Sequence, residues 1–328
     1  MRPHPGVGYP DGARRGEPSE VSNPVTIAPP EVAADALRSR PRWYSHRYNR
    51  AVFYRLAAAM GCVPRRVRLG LARQLGRLAP RFMPVEREAV RKTLGRVTGA
   101  TGPRLDELTL DVFSKFAMCF ADLVSTNRDP AARLTARVAG ITGTEWLAGL
   151  DGGMISLTAH VGSWELAGRL LALRAARPTH VVVADEEARA LEPWVRRSGE
   201  GVRFVPRSRP TVSLDLLAAL RRGDVVALQG DRALGNRGDM RVPFFGQPAP
   251  FPMGPFRLAR ASGVPIVPAF CVLDADYRYL VIVLEPLSVM PGGEEDAVRA
   301  WVARLEGIVR ERPTQWFNFF DVWNPFDG

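Results

Sequence analysis

Residues 154–168 read MISLTAHVGSWELAG. Met154 to Thr158 is a short apolar run of strand character, while the stretch from Glu165 to Ala175 has the make-up of a helix. His160 therefore stands where a sheet meets a helix N-terminus. Val161, Gly162 and Ser163 supply the turn, and Glu165 falls in the first helical turn, from which its carboxylate can reach back toward the imidazole. In open α/β sheets the ligand crevice lies at such strand ends.

Working outward, further short apolar runs rich in β-branched residues lie at His180 to Ala184, Val202 to Val205, Val225 to Gln229, Pro265 to Leu273 and Tyr279 to Leu284. Helical stretches at Thr211 to Arg221 and Gly254 to Ala261 separate several of them. Strands alternating with helices predict an α/β domain with a central mixed sheet flanked by helices. Before the sheet, residues 105–125 (LDELTLDVFSKFAMCFADLVS) space Leu108, Val112, Phe116, Phe120 and Val124 as the core-facing stripe of a helix. After it, a helix from Glu294 to Arg310 leads into PTQWFNFFDVWNP, residues 313–325, whose aromatics read as a lid on the core.

The charge is uneven. Residues 1–100 hold nineteen Arg and Lys against seven Asp and Glu, and the remaining residues hold twenty-six against twenty-seven. Between Ala36 and Val85 there are twelve arginines and no acid, interleaved with aromatic and leucine side chains. Arginine interrupts the apolar stretches far short of the roughly 20 residues that span a bilayer. Such a segment suits an interface, apolar face in the acyl boundary and cations among anionic headgroups. Three parts follow: a disordered leader at 1–35, a basic amphipathic membrane-association segment at 36–100, and a catalytic domain at 101–328. The first residues lack the apolar run of a secretory signal, so the expected location is the cytoplasmic side.

Several classes of chemistry lack equipment. The cysteines, Cys62, Cys119 and Cys271, form no CxxC pair, and no two of the four histidines share an i, i+4 helix face, so no metal site is expected. No Walker loop, GxGxxG loop or G-x-S-x-G elbow occurs. No cofactor is expected. A nucleic-acid partner is disfavoured because the near-neutral remainder of the chain offers no extended basic groove.

A hydroxyl that attacks as a nucleophile needs a base for its proton, and an imidazole suits that at neutral pH. A neighbouring carboxylate fixes the tautomer and favours the imidazolium that forms. Backbone N–H groups at the helix start can steady an oxyanion. A histidine that merely caps a core turn would show the same residues, so the pair alone does not decide.

The spacing of His160 and Glu165 resembles the H-x-x-x-x-D/E signature of the glycerolipid acyltransferase superfamily. Its context resembles the lipid A biosynthesis (lauroyl/myristoyl) acyltransferase family, whose motif reads H-x-G-N-W-E. Here His160, Gly162, Trp164 and Glu165 match, and Ser163 stands where Asn is usual. A second block, LQGDRALGNRGDMRVPFFGQPAPFPMGPFRLARASGVPIVP (Leu228 to Pro268), is similar to the family's strand end, F-F-G turn and Gly-led helix. PTQWFNFFDVWNP is similar to its Pro-x-Gln-Trp close.

The resemblance implies a glycerolphosphate acyltransferase-like fold at the cytoplasmic face of a bacterial inner membrane. It implies acyl carrier protein or acyl-CoA as donor and a membrane glycolipid such as a lipid A precursor as acceptor. A phosphatidylinositol mannoside, an amino lipid or a non-catalytic scaffold role are the alternatives. His160 is then the general base and Glu165 its charge partner. Asp231 and Arg232 line the site, and Glu186, Arg207, Arg241 and Gly254 are further substrate-binding candidates. Arg197, Arg209 and Arg237 could also meet phosphate, since guanidinium pairs bidentately with its oxygens.

Overall fold

The computed structural model describes residues 59–126, 131–164, 166–167, 170, 177–183, 201–235 and 238–325. The leader and the first part of the basic segment, residues 1–58, lie outside them, as do Glu165, Asp185, Glu186, Arg197, Arg237 and the side chain of Val124.

Helices α1 (Arg65–Leu78), α2 (Pro84–Thr98), α3 (Gly102–Thr126) and α4 (Ala131–Ala136) come first, followed by β1 (Val138–Thr142) and β2 (Met154–Thr158). Then come β3 (Thr179–Val183), β4 (Val202–Pro206), α5 (Val212–Arg221), β5 (Val225–Gln229) and the hairpin β6 (Asp239–Phe244) and β7 (Gln247–Pro252). The chain continues through α6 (Gly254–Ser262), β8 (Ile266–Leu273), β9 (Tyr279–Val283) and α7 (Glu294–Glu311). Seven of the described strands form a sheet in the order β1-β9-β8-β2-β5-β3-β4, and β6 and β7 pair apart from it. Only the β8–β9 pairing within it is antiparallel, so the sheet is mixed, as expected. The strand β1 and the hairpin were not anticipated. β1 sits at the sheet edge and is only partly buried, and β6–β7 carries prolines that weaken a strand signature.

Central strands between two covered faces should be apolar throughout rather than alternating. All five residues of β2 and all eight of β8 are buried. Their side chains split between two cores. Ile155, Leu157, Ile266, Phe270 and Val272 meet α5, α6, α7 and the hairpin on one face. Met154, Val267, Cys271 and Leu273 meet α1, α2 and α3 on the other. Each buried Leu, Ile or Phe contributes roughly 1.5–3 kcal/mol by leaving water.

The basic segment is thus partly a layer of the fold. Leu69 and Ala72 of α1 and Val90 and Leu94 of α2 are buried with Leu108, Val112 and Phe113 of α3, so packing crosses the boundary drawn at residue 100. Arg65 and Arg68, read from the sequence as membrane-facing cations, turn inward to Asp122. Arg65 Nε donates to Oδ2 at 2.8 Å and Arg68 Nη2 to Oδ1 at 2.7 Å. The Tyr279 hydroxyl also donates to Oδ2, and Arg137 Nη1 stands 3.9 Å from Oδ1. Burial would raise the Asp122 carboxyl, but the Arg65 contact, then Tyr279 and Arg68, outweigh it and hold it below the usual range. What α1 leaves outside is a stripe of Val67, Leu71, Leu75 and Leu78, continued by Phe82 and Val85, with Phe82 84% exposed. Among the described residues, no helix is long and apolar enough to cross a membrane.

Candidate active site

At the carboxyl end of β2 the chain must reverse within a few residues and still return its polar groups to partners. Gly162 makes that possible. Its φ of 59° suits glycine, and a Cβ there would lie 2.2 Å from the Cys271 carbonyl oxygen. The turn is pinned on both sides: Gly162 N–H donates to Gln315 O at 2.8 Å and Ser163 N–H to Cys271 O at 2.7 Å. Phe317 N–H donates to His160 O at 2.7 Å. His160 is consequently held by the neighbouring strand and by the closing segment together.

The neighbouring strand β5 ends on Gln229, and Gly230 N–H donates to Thr158 O at 2.8 Å. This brings Asp231 beside His160. His160 Nδ1 and Asp231 Oδ1 are 2.7 Å apart, and the His160 backbone N–H donates to Oδ2 at 3.1 Å. The same Oδ2 accepts from Trp316 Nε1 at 3.0 Å and from Asn318 Nδ2 at 3.3 Å. A buried carboxylate with this many donors stays ionised. Burial alone would push Asp231 up; the imidazole, Arg232 and the Trp316 indole outweigh it and hold the carboxyl far below its ordinary value.

Its partner is displaced the same way for a different reason. Burial, then the Arg232 charge, lower His160 from 6.5 to about 4 against the pull of Asp231. The imidazole is therefore neutral at physiological pH. With Nδ1–H donating to Asp231, Nε2 carries the lone pair, as a general base requires.

Arg232 is buried and committed to the scaffold. Its Nε donates to Asn318 Oδ1 at 2.9 Å and its Nη2 to Phe317 O at 2.8 Å, with the guanidinium 5.6 Å from the Phe320 ring centroid. Of the other candidates, Arg207 is exposed after β4. Arg241 reaches the Pro248 and Trp323 carbonyls from the hairpin, and Gly254 opens α6. No hydrogen bond joins these three to His160 or Asp231. Arg209 pairs with Asp215 at 3.5 Å on the surface. Among the described residues no group of His, Cys, Asp and Glu could hold a metal ion. His180 pairs with Asp224 at 3.0 Å at the opposite end of the sheet, near the starts of β3 and β5.

Sequence reasoning missed Trp316 and Asn318 as ligands of the carboxylate. The signal available was Asn318 itself, one amide inside an aromatic run that buries Trp316, Phe317, Phe319 and Phe320. A buried amide requires partners, but nothing local says that they are Asp231 and Arg232.

The family model of the bacterial lipid A biosynthesis acyltransferases matches residues 44–324. Phosphatidylinositol mannoside acyltransferases from two strains of Mycobacterium tuberculosis are each 30% identical over 248 residues, covering 72% of this chain and 77% of theirs. The solved 1-acyl-sn-glycerophosphate acyltransferase from Thermotoga maritima aligns over 78% of this chain and all of its own. With 14% identity and a TM-score of 0.37, that likeness supports no further argument. The match over most of the chain, and the relatives at 30% identity, place the protein: it belongs to the bacterial lipid A biosynthesis acyltransferase family.

Proposed function

We propose that this acyltransferase moves a fatty acyl group from a thioester donor to a hydroxyl of a membrane glycolipid, with His160 as general base and Asp231 as its charge partner. The observation that carries the reading is the buried 2.7 Å contact between His160 Nδ1 and Asp231. It sets the tautomer, leaves Nε2 for the acceptor hydroxyl, and supplies the negative charge that favours the imidazolium once the proton moves. The acceptor oxygen bonds to the thioester carbon, its proton passes to Nε2, and the C–S bond then breaks as the sulfur departs with that proton. Because Asp231 takes Nδ1, the partner role first assigned to Glu165 is moved here to Asp231.

The donor is acyl carrier protein or acyl-CoA. Among acceptors, the phosphatidylinositol mannoside acyltransferase relatives favour a mannoside of phosphatidylinositol over a lipid A precursor. The exposed stripe from Val67 to Val85, flanked by exposed Arg66 and Arg81, is proposed to rest on an anionic membrane at the cytoplasmic face of the inner membrane. The test is acyl transfer by purified protein from each labelled donor to phosphatidylinositol mannoside and lipid A precursor vesicles, with His160→Ala as control. Mass spectrometry of lipids from a strain lacking the gene gives acceptor and chain length together. Full activity of His160→Ala would sink the assignment.

A further inference from the structure

Two donors at the turn that carries His160 are buried without an acceptor among the described residues: the Ser163 hydroxyl and the Trp164 indole Nε1–H. Other buried indoles are satisfied. The indoles of Trp301, Trp316 and Trp323 donate to Gly230 O, Asp231 Oδ2 and Phe244 O at 2.9, 3.0 and 2.9 Å. The backbone of the turn is fully tied, through Gly162 to Gln315 and Ser163 to Cys271, so slack in the chain does not explain the unpaired donors. The Trp164 ring stands against the imidazole, centroids 5.0 Å apart and planes at 58°. Burying a donor without an acceptor costs stability, and such a group beside a reactive imidazole calls for a functional explanation.

The reading of His160 as base requires an electrophilic carbonyl within reach of an alcohol poised at Nε2. As the C–O bond forms, the carbonyl π electrons move onto the oxygen, and the charge there needs donors fixed in place beforehand. Resting on that reading, we propose that Trp164 Nε1–H and the Ser163 hydroxyl bind the thioester carbonyl oxygen and hold it as it becomes an oxyanion. When the oxyanion collapses, the electrons return, the C–S bond breaks and the sulfur takes the proton from the imidazolium. The donors release a neutral ester carbonyl, so they bind the charged intermediate more strongly than substrate or product. Arg232 is no substitute, since its guanidinium is engaged with Asn318 and Phe317.

Trp164→Phe keeps the ring and removes the N–H, and Ser163→Ala removes the hydroxyl. Each variant is compared with the unaltered chain for kcat, for KM of donor and acceptor, and for thermal midpoint. The expected result is a kcat lower by about 10²-fold for Trp164→Phe, a smaller loss for Ser163→Ala, little change in either KM, and a thermal midpoint equal or higher because an unpaired donor is gone. Unchanged kcat in both variants, a loss confined to KM, or a kcat loss accompanied by a lower thermal midpoint overturns the proposal. His160→Ala, run alongside, separates the two levels. An inactive His160→Ala with fully active Trp164→Phe and Ser163→Ala rejects the oxyanion donors alone, and an active His160→Ala rejects the base itself.

Discussion

Asp231 accepts four hydrogen bonds, two of them from His160. Replacing His160 by alanine removes the ring but keeps the backbone donor, Trp316 and Asn318, so the fold should survive. Turnover should fall by about 10²–10⁴, the usual worth of a positioned base, with circular dichroism unchanged. Asp231→Asn is a different lesion. It puts an amide N–H where only donors converge, and should cost stability as well as rate, whereas Glu165→Gln should leave the imidazole's support in place and cost less. Comparing kcat and urea midpoints of the two variants decides which acid serves His160; a larger rate loss from Glu165→Gln would reverse the assignment. The pH behaviour follows from the lowered imidazole. The rate should be flat through neutral pH and fall only as pH drops toward about 4, where Nε2 is protonated. For stability, the unfolded imidazole binds its proton near 6.5 and the folded one near 4. Stability is therefore fully present above 6.5 and is lost progressively as pH falls through that window. Urea midpoints measured across it should drop toward acid; a flat profile would contradict a buried neutral His160.

Each element's contribution rests on how closely it approaches its neighbour. α1 crosses α3 at Gly76, where a Cβ would stand 2.7 Å from the Phe113 carbonyl oxygen and the Ser114 Cα. Gly76→Leu must push the helices apart, losing the burial of Leu69 and Ala72, and should cost about 1–3 kcal/mol or more. A thermal midpoint unchanged by that substitution would mean that the helix pair does not depend on this contact. The Asp122 cluster ties α1 to α3 and β9, and Asp122→Ala strands buried cations, a lesion of about 3–5 kcal/mol. This explains why the arginines of the basic run are not interchangeable. Arg65 and Arg68 belong to the interior, so neutralising them would unfold the layer rather than report on lipid.

At the scale of the molecule, the exposed stripe on α1 and the start of α2 is the surface to test against membranes. Leu75→Asp with Phe82→Asp alters two side chains that are 58% and 84% exposed, so folding and activity on a detergent-dispersed acceptor should be kept. Sedimentation with anionic liposomes should fall sharply, and undiminished sedimentation would remove this stripe from the membrane surface.

The alternation of strands and helices, the start of the α3 stripe at Leu108 and Val112 and the position of His160 at a strand end were legible along the chain, because each is set by side-chain periodicity or by a local turn such as the one at Gly162; further along α3 the buried face passes through Met118, Cys119 and Leu123, leaving Phe116 and Phe120 half-buried. The pairing of Asp231 with His160, and of Trp316 and Asn318 with Asp231, was not. Asp231 lies 71 residues from His160, and Trp316 and Asn318 lie 85 and 87 residues from Asp231; a hydrogen bond across that distance leaves no periodic trace in either segment. The inward turn of Arg65 and Arg68 was hidden for the same reason: a run of arginines reads as solvated until Asp122, more than fifty residues on, is seen beneath it. Sheet order decided the site. β5 lies directly beside β2, although β3 and β4 intervene in the chain, and that adjacency sets a carboxylate against the imidazole.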